Sequence, residues 1–179
     1  MNVKPLYVFK AAHFSPEICD RIIMEAANRG ASEARGINIG LNIHLPFEQN
    51  PNPYITHALN FEFHYFFMRK FWFAYLAKAM VCMPGGFGTL DELTEILTLA
   101  QTLKVKKKLP IVLYGASFWR EVIDLNALVK YGTISREDLD RVFRTDSVDE
   151  AFDFLTHELK LLIGDEPGIT AEVSKDPGV

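Results

Sequence analysis

Cysteine is scarce in this chain, with only Cys19 and Cys82 among 179 residues. Two thiols exclude a disulfide framework, and Cys82 lies in an apolar run where a small buried thiol is the plain reading. Long apolar runs are also missing. Lys, Arg or Glu interrupts each one well before the ~20 residues needed to span a bilayer. Met1 to Lys10 contains Lys4, Pro5 and Lys10 but no apolar stretch of the secretory type. Positive charge is not in excess: 19 Lys and Arg stand against 23 Asp and Glu, a net charge of −4. That balance argues against a nucleic-acid groove or an anionic membrane surface as the main partner. Five histidines, His13, His44, His57, His64 and His157, show no metal-ligand spacing, so no metal centre is expected. These absences together describe a soluble, reduced, cytoplasmic protein.

Hydrophobic residues make up 49% and charged residues 23%, the balance of a globular chain and the length of one ordinary domain. Three short runs, Ile37–Ile43, Ala79–Met83 and Pro110–Tyr114, are rich in Val, Ile and Leu and read as buried parallel strands. Phe61–Phe67 alternates weakly and is a candidate strand leading into a helix; Val142–Arg144 is a short further strand, and Pro5–Phe9 a poor first one. Helical patterns cover Pro16–Ala34, Met68–Lys78, Thr89–Leu103 and Ser147–Ile163, with shorter ones at Phe118–Lys130 and Arg136–Val142. Thr89-x-x-Glu92 and Ser147-x-x-Glu150 both have capping-box spacing. Strands alternating with helices predict an α/β fold, a Rossmann-like doubly wound, mostly parallel sheet with helices on both faces. Residues 1–163 form this single domain. Residues 164–179, with three Gly, two Pro and five charged residues but no periodicity, read as a mobile tail.

The segment Ala79–Glu92 is the most informative. A buried strand enters Pro84-Gly-Gly-Phe-Gly-Thr, which opens straight into a helix. Glycines at 85, 86 and 88 permit φ > 0 and bring backbone N–H groups close to a ligand. The helix start adds unpaired N–H donors and the positive end of its dipole, so the turn suits a phosphate; a tight turn needing glycine for shape alone is the plain alternative. Glu92 has two competing readings, as the far end of a Thr89 capping box or as a functional carboxylate at a strand's carboxyl end.

Arg69 and Lys70 stand where the Phe61–Phe67 strand hands over to a helix. If that strand neighbours Ala79–Met83, a guanidinium, an ammonium, a glycine cradle and a carboxylate converge on one cleft. A solvated helix start is the alternative, but cations there oppose the dipole, which points to a ligand or ion pair that compensates. Glu48, in a Pro- and Asn-rich loop, either reaches the same cleft or is solvated. Lys104, Lys106, Lys107 and Lys108 read as a solvated connection. Nine aromatics crowd between Phe61 and Tyr75. A helix apolar nearly all round is buried in a core or against a partner chain, and a homodimer is the expectation.

Pro84-Gly-Gly-Phe-Gly-Thr-Leu-Asp-Glu92 resembles the PGGxGTxxE motif of the LOG ("lonely guy") family, long labelled lysine decarboxylases. Met68-Arg-Lys70 resembles its upstream Arg-Lys motif, and Ile23–Gly30, Ile39–Ile43 and Asn52–Tyr54 look like its bacterial branch. The likeness runs from Ile23 to Leu159. It implies a Rossmann-like, usually dimeric enzyme without cofactor. Such an enzyme hydrolyses the N-glycosidic bond of nucleoside 5′-monophosphates, AMP or cytokinin riboside monophosphates among them, to free base and ribose 5-phosphate. On this likeness Arg69 and Glu92 are the catalytic pair. Gly85, Gly86, Gly88 and Thr89 hold the 5′-phosphate, Lys70, Glu48 and Thr98 complete the substrate site, and Glu25 is a further candidate. One segment departs from the family pattern. Pro16–Ile23 contains no glycine where the family carries a Gly-rich stretch after its first strand. Two other readings remain: a non-catalytic module using the same phosphate cradle, and a pyridoxal-phosphate decarboxylase, for which no Lys stands in a recognisable Schiff-base context.

Overall fold

The computed structural model describes residues 8–9, 27–44, 52–104 and 108–164. Strands β1 (Val8–Phe9), β2 (Gly40–Ile43), β3 (Asn60–Phe63), β4 (Ala79–Cys82), β5 (Ile111–Tyr114) and β6 (Val142–Thr145) are all paired in parallel. Helix α1 is described over residues 27–33. It is followed by α2 (Phe66–Leu76), α3 (Phe87–Gln101), α4 (Ala116–Val122), α5 (Leu125–Lys130) and α6 (Val148–Gly164). The four-stranded sheet has the order β1-β4-β5-β6, and β2 with β3 forms a separate two-stranded sheet.

The period of two along each strand decides which helix covers which face. Met80, Cys82, Ile111 and Leu113 point to one face, where they meet Ala74 of α2, Leu93 and Ile96 of α3 and the fully buried Trp119 of α4. Ala79 and Val112 point to the other and meet Ala151 and Leu155 of α6. Helices therefore cover both faces, as a Rossmann-like α/β fold requires.

Several expectations need correction. The predicted strand Phe61–Phe67 ends at Phe63, and α2 starts at Phe66. Its partner is β2, not the Ala79 strand: β4 pairs with β1 and β5. The helix expected over Phe118–Lys130 is two helices, α4 and α5. Asp124 separates them by capping α5, its carboxylate accepting from the Ala127 N–H at 3.0 Å. Arg136–Val142 holds only a single 3₁₀ turn, Leu139–Arg141. The helix predicted from Pro16 is described only from residue 27. It stops before Gly36, but the left-handed residue at its end is Arg35, with φ 57°. The Ser147 box is relayed rather than reciprocal. Ser147 Oγ accepts from the Glu150 N–H, while the Glu150 carboxylate takes the Thr145 hydroxyl, and that hydroxyl oxygen accepts from the Ser147 N–H.

Helix α2 has no acidic residue in its first turn and no side-chain cap, so its own sequence does little to start it. Packing of Phe73, Ala74, Leu76 and the following Ala77 into the core holds it instead. Its other side stays open, with Phe67, Phe71, Trp72 and Tyr75 exposed. Among the described residues, no helix is long and apolar enough to cross a membrane.

Candidate active site

Strand β4 delivers the chain to Pro84, and α3 begins three residues later with Gly86 as its N-cap. Gly85 serves space rather than left-handed backbone. Gly86 has φ −90°, and the left-handed glycines among the described residues are Gly115 and Gly132. A Cβ on Gly85 would run into Thr89, whose own Cβ lies 2.9 Å from that point. Thr89 is 2% exposed and is the third residue of α3 rather than its cap. The Thr89 capping box is therefore absent, which removes the capping reading of Glu92. Helix geometry leaves the first-turn N–H groups without acceptors inside the helix, and no carboxylate in that turn offsets the dipole. The turn retains the geometry of an anion cradle.

One residue behind this turn has no motif to announce it. Gly115, at the carboxyl end of β5, has φ +91°, and a Cβ there would lie 2.8 Å from Pro84 Cγ. Its only sequence signal is a glycine directly after a strand, between Tyr114 and Ala116.

Arg69 and Glu92 meet across the seam between α2 and α3, with Nη2 2.5 Å from Oε1. Their side chains are 6% and 8% exposed. The rings of Phe73 and Phe66 flank the guanidinium, with centroids 5.1 Å and 6.0 Å from Cζ. Arg69 Nε is buried without a hydrogen-bond partner. Burial raises the Glu92 pKa above its ordinary value. The Arg69 charge and hydrogen bond oppose the rise, Asp91 adds to it and Lys70 opposes it. Below Glu92, burial first and the Glu92 charge second push the Cys82 thiol far up. It stays a neutral packing group, as expected from its apolar run.

Lys70 lies 3.1 Å from both Asp91 and Glu95 of α3. Burial pulls its pKa down, but the hydrogen bonds to Glu95 and Asp91 prevail and raise it. The cations at the start of α2 thus find the compensating ion pairs anticipated for them. Neither Asp91 nor Glu95 was a candidate; Glu95 lies one turn from Glu92 on the same helix face, and that spacing was the available signal.

The structure brings Arg69, Lys70, Glu92, Gly85, Gly86, Gly88 and Thr89 to the α2–α3 seam and the turn above it. Thr98 does not join them: it is exposed, and its hydroxyl donates to the Thr94 carbonyl at 2.7 Å. Glu48 and Glu25 lie outside the described residues. Convergence does not come from adjacent strands, as anticipated, but from α2 and α3 packing side by side. His44, Glu62 and His64 cluster on β2–β3, yet among the described residues no group of side chains could hold a metal ion.

No curated protein matches the chain significantly. A family model described as "Possible lysine decarboxylase", the LOG family domain, matches residues 24–155; with the two motifs converging at one buried seam, the chain belongs to that family.

Proposed function

We propose that the protein hydrolyses the N-glycosidic bond of nucleoside 5′-monophosphates, AMP or cytokinin riboside monophosphates, to free base and ribose 5-phosphate. One observation carries this reading: a buried guanidinium–carboxylate pair lies one helical turn from a glycine cradle suited to phosphate. Gly85, Gly86, Gly88 and Thr89 hold the 5′-phosphate, and that remote binding energy fixes the ribose over Glu92.

The water oxygen bonds to C1′ as the C1′–N bond breaks. The bonding electron pair leaves on the base nitrogen, which takes up a proton, and the attacking water loses one. The sugar passes through an oxocarbenium-like state, by analogy with glycosidases. Ionised Glu92 stabilises that positive charge and contacts the ribose or the water. An arginine guanidinium is a poor proton donor, so Arg69 instead orients Glu92, the substrate or the leaving base.

Incubation with AMP, CMP, GMP and UMP, followed by chromatographic separation of bases from nucleotides, tests the activity. Glu92→Gln is expected to lower base release by about 100-fold or more; a loss of only a few-fold removes Glu92 from this role. The missing glycine in Pro16–Ile23 favours a second reading, a non-catalytic nucleotide-binding module. Calorimetry detecting bound AMP, with no adenine released over hours, decides for it.

Decarboxylase chemistry, the activity in the family's description, needs pyridoxal phosphate on an unprotonated lysine. Lys70, the lysine beside Glu92, is clasped by two carboxylates and held protonated, so the residues at this seam do not fit that cofactor. The exposed aromatic side of α2, Phe67, Phe71, Trp72 and Tyr75, is assigned to a homodimer interface. Size-exclusion chromatography with light scattering tests this, and Phe71→Glu is expected to give monomers.

A further inference from the structure

Two consecutive cations of α2, Arg69 and Lys70, face three carboxylates of α3, Asp91, Glu92 and Glu95. Arg69 is committed to Glu92, and Lys70 bridges the other two at 3.1 Å each. Lys70, Glu92 and Glu95 also line one cavity of about 20 Å³, with Phe73, Met80 and Ile96 among its apolar walls. That volume has room for about one water. Charges separated by such a gap are screened much less than charges across solvent. The Lys70 ammonium therefore acts on Glu92 as a second cation, opposing burial and the Asp91 charge.

We propose that Glu95, outside the nine-residue motif, is a positioning residue: with Asp91 it holds the Lys70 ammonium against α3 as a fixed counter-charge for Glu92. Lys70 then serves turnover through Glu92 rather than substrate affinity. This inference rests on the hydrolase reading of Glu92. Among the described residues, the titratable groups around that carboxyl are Arg69 and Lys70 of α2, Asp91 and Glu95 of α3, and the neutral Cys82 thiol of β4.

The test combines Lys70→Met, Glu95→Gln, the double variant and Lys70→Arg, with thermal melts reporting folding. Lys70→Met and Glu95→Gln are each expected to lower kcat about tenfold while KM for AMP stays within about twofold, a loss of transition-state stabilisation alone. The double variant should be no slower than the slower single one, because both act through one contact. Lys70→Arg should recover most of the loss. In Lys70→Met the Glu92 carboxyl, followed by 13C NMR without substrate, should titrate at higher pH than in the wild type, because a nearby positive charge has gone. A tenfold rise in KM at unchanged kcat, additive losses in the double variant or an unmoved Glu92 titration would each overturn the proposal. A wild-type protein that releases no base removes the hydrolase reading instead, and the NMR titration then decides the Lys70–Glu92 coupling by itself. If Lys70→Met does not fold, Glu95→Gln carries the kcat and KM readout, and Lys70→Arg, which keeps the positive charge, should leave the Glu92 titration as in the wild type.

Discussion

The β2–β3 sheet and the α2–α3 seam each carry an ion pair, and the two are almost equally long. His44 Nδ1 lies 2.6 Å from Glu62 Oε1, with 59% of each side chain exposed. Arg69 Nη2 lies 2.5 Å from Glu92 Oε1, with exposures of 6% and 8%. Length says nothing about what each is worth; surroundings do. The first sits in solvent, exists as an ion pair only while His44 is protonated, and is screened by salt. The second has lost its hydration, so each partner depends on the other for compensation, and removing one strands a buried charge. A pair in the first setting decorates a surface. In the second it stores the electrostatic potential a reaction can draw on.

Breaking the buried pair should therefore have the largest effect. Arg69→Met is expected to abolish base release and lower stability by about 3 kcal/mol at pH 8, measured by urea denaturation. The loss should shrink at pH 5. Without its guanidinium, the Glu92 pKa rises further, so the folded protein binds a proton where the unfolded chain does not, and stability recovers as pH falls. In the wild type the same logic places the acid limb of kcat above 4.5, the ordinary glutamate value, because burial raises Glu92. A limb at or below that value would show that Glu92 does not act as the ionised group.

The cradle gives an intermediate effect. Gly115→Ala combines a left-handed backbone with a Cβ 2.8 Å from Pro84 Cγ and should cost about 2 kcal/mol. It should also weaken AMP binding in calorimetry, since Pro84 begins the glycine turn proposed to hold the phosphate. Destabilisation with unchanged affinity would separate Gly115 from the site. The smallest effect belongs to the exposed pair. Glu62→Gln should change stability by less than about 1 kcal/mol, and 1 M salt should erase the difference. A larger, salt-resistant loss would show that this pair is buried in solution and would collapse the contrast between the two regions.

The parts of this protein that were legible in the sequence are those with a local cause. The runs at Ala79–Met83 and Pro110–Tyr114 became β4 and β5 nearly residue for residue, because short buried strands need only a run of apolar side chains. The glycine turn was legible for the same reason: a Cβ at Gly85 has no room beside Thr89, four residues on. Long-range relations were read less well. The pairing of β3 with β2 rather than β4 depends on sheet order, which no local pattern encodes. Gly115 is required by Pro84, 31 residues earlier in the chain, and that contact leaves a single unremarkable glycine in the sequence. Lys70 was identified as a substrate ligand by family likeness, while its commitment to Asp91 and Glu95 is a matter of how two helices lie together.

By itself the sequence determined the fold class, the strand–turn–helix of the cradle and the identities of Arg69 and Glu92, since periodicity, backbone sterics and motif are properties of neighbouring residues. Only the tertiary structure decided that those two side chains touch, that the pair is buried and that a second cation stands beside it. Burial is the reason. The strength of a charge interaction is set by how much water the surrounding chain excludes, and that exclusion exists only once α2 and α3 are packed on the sheet.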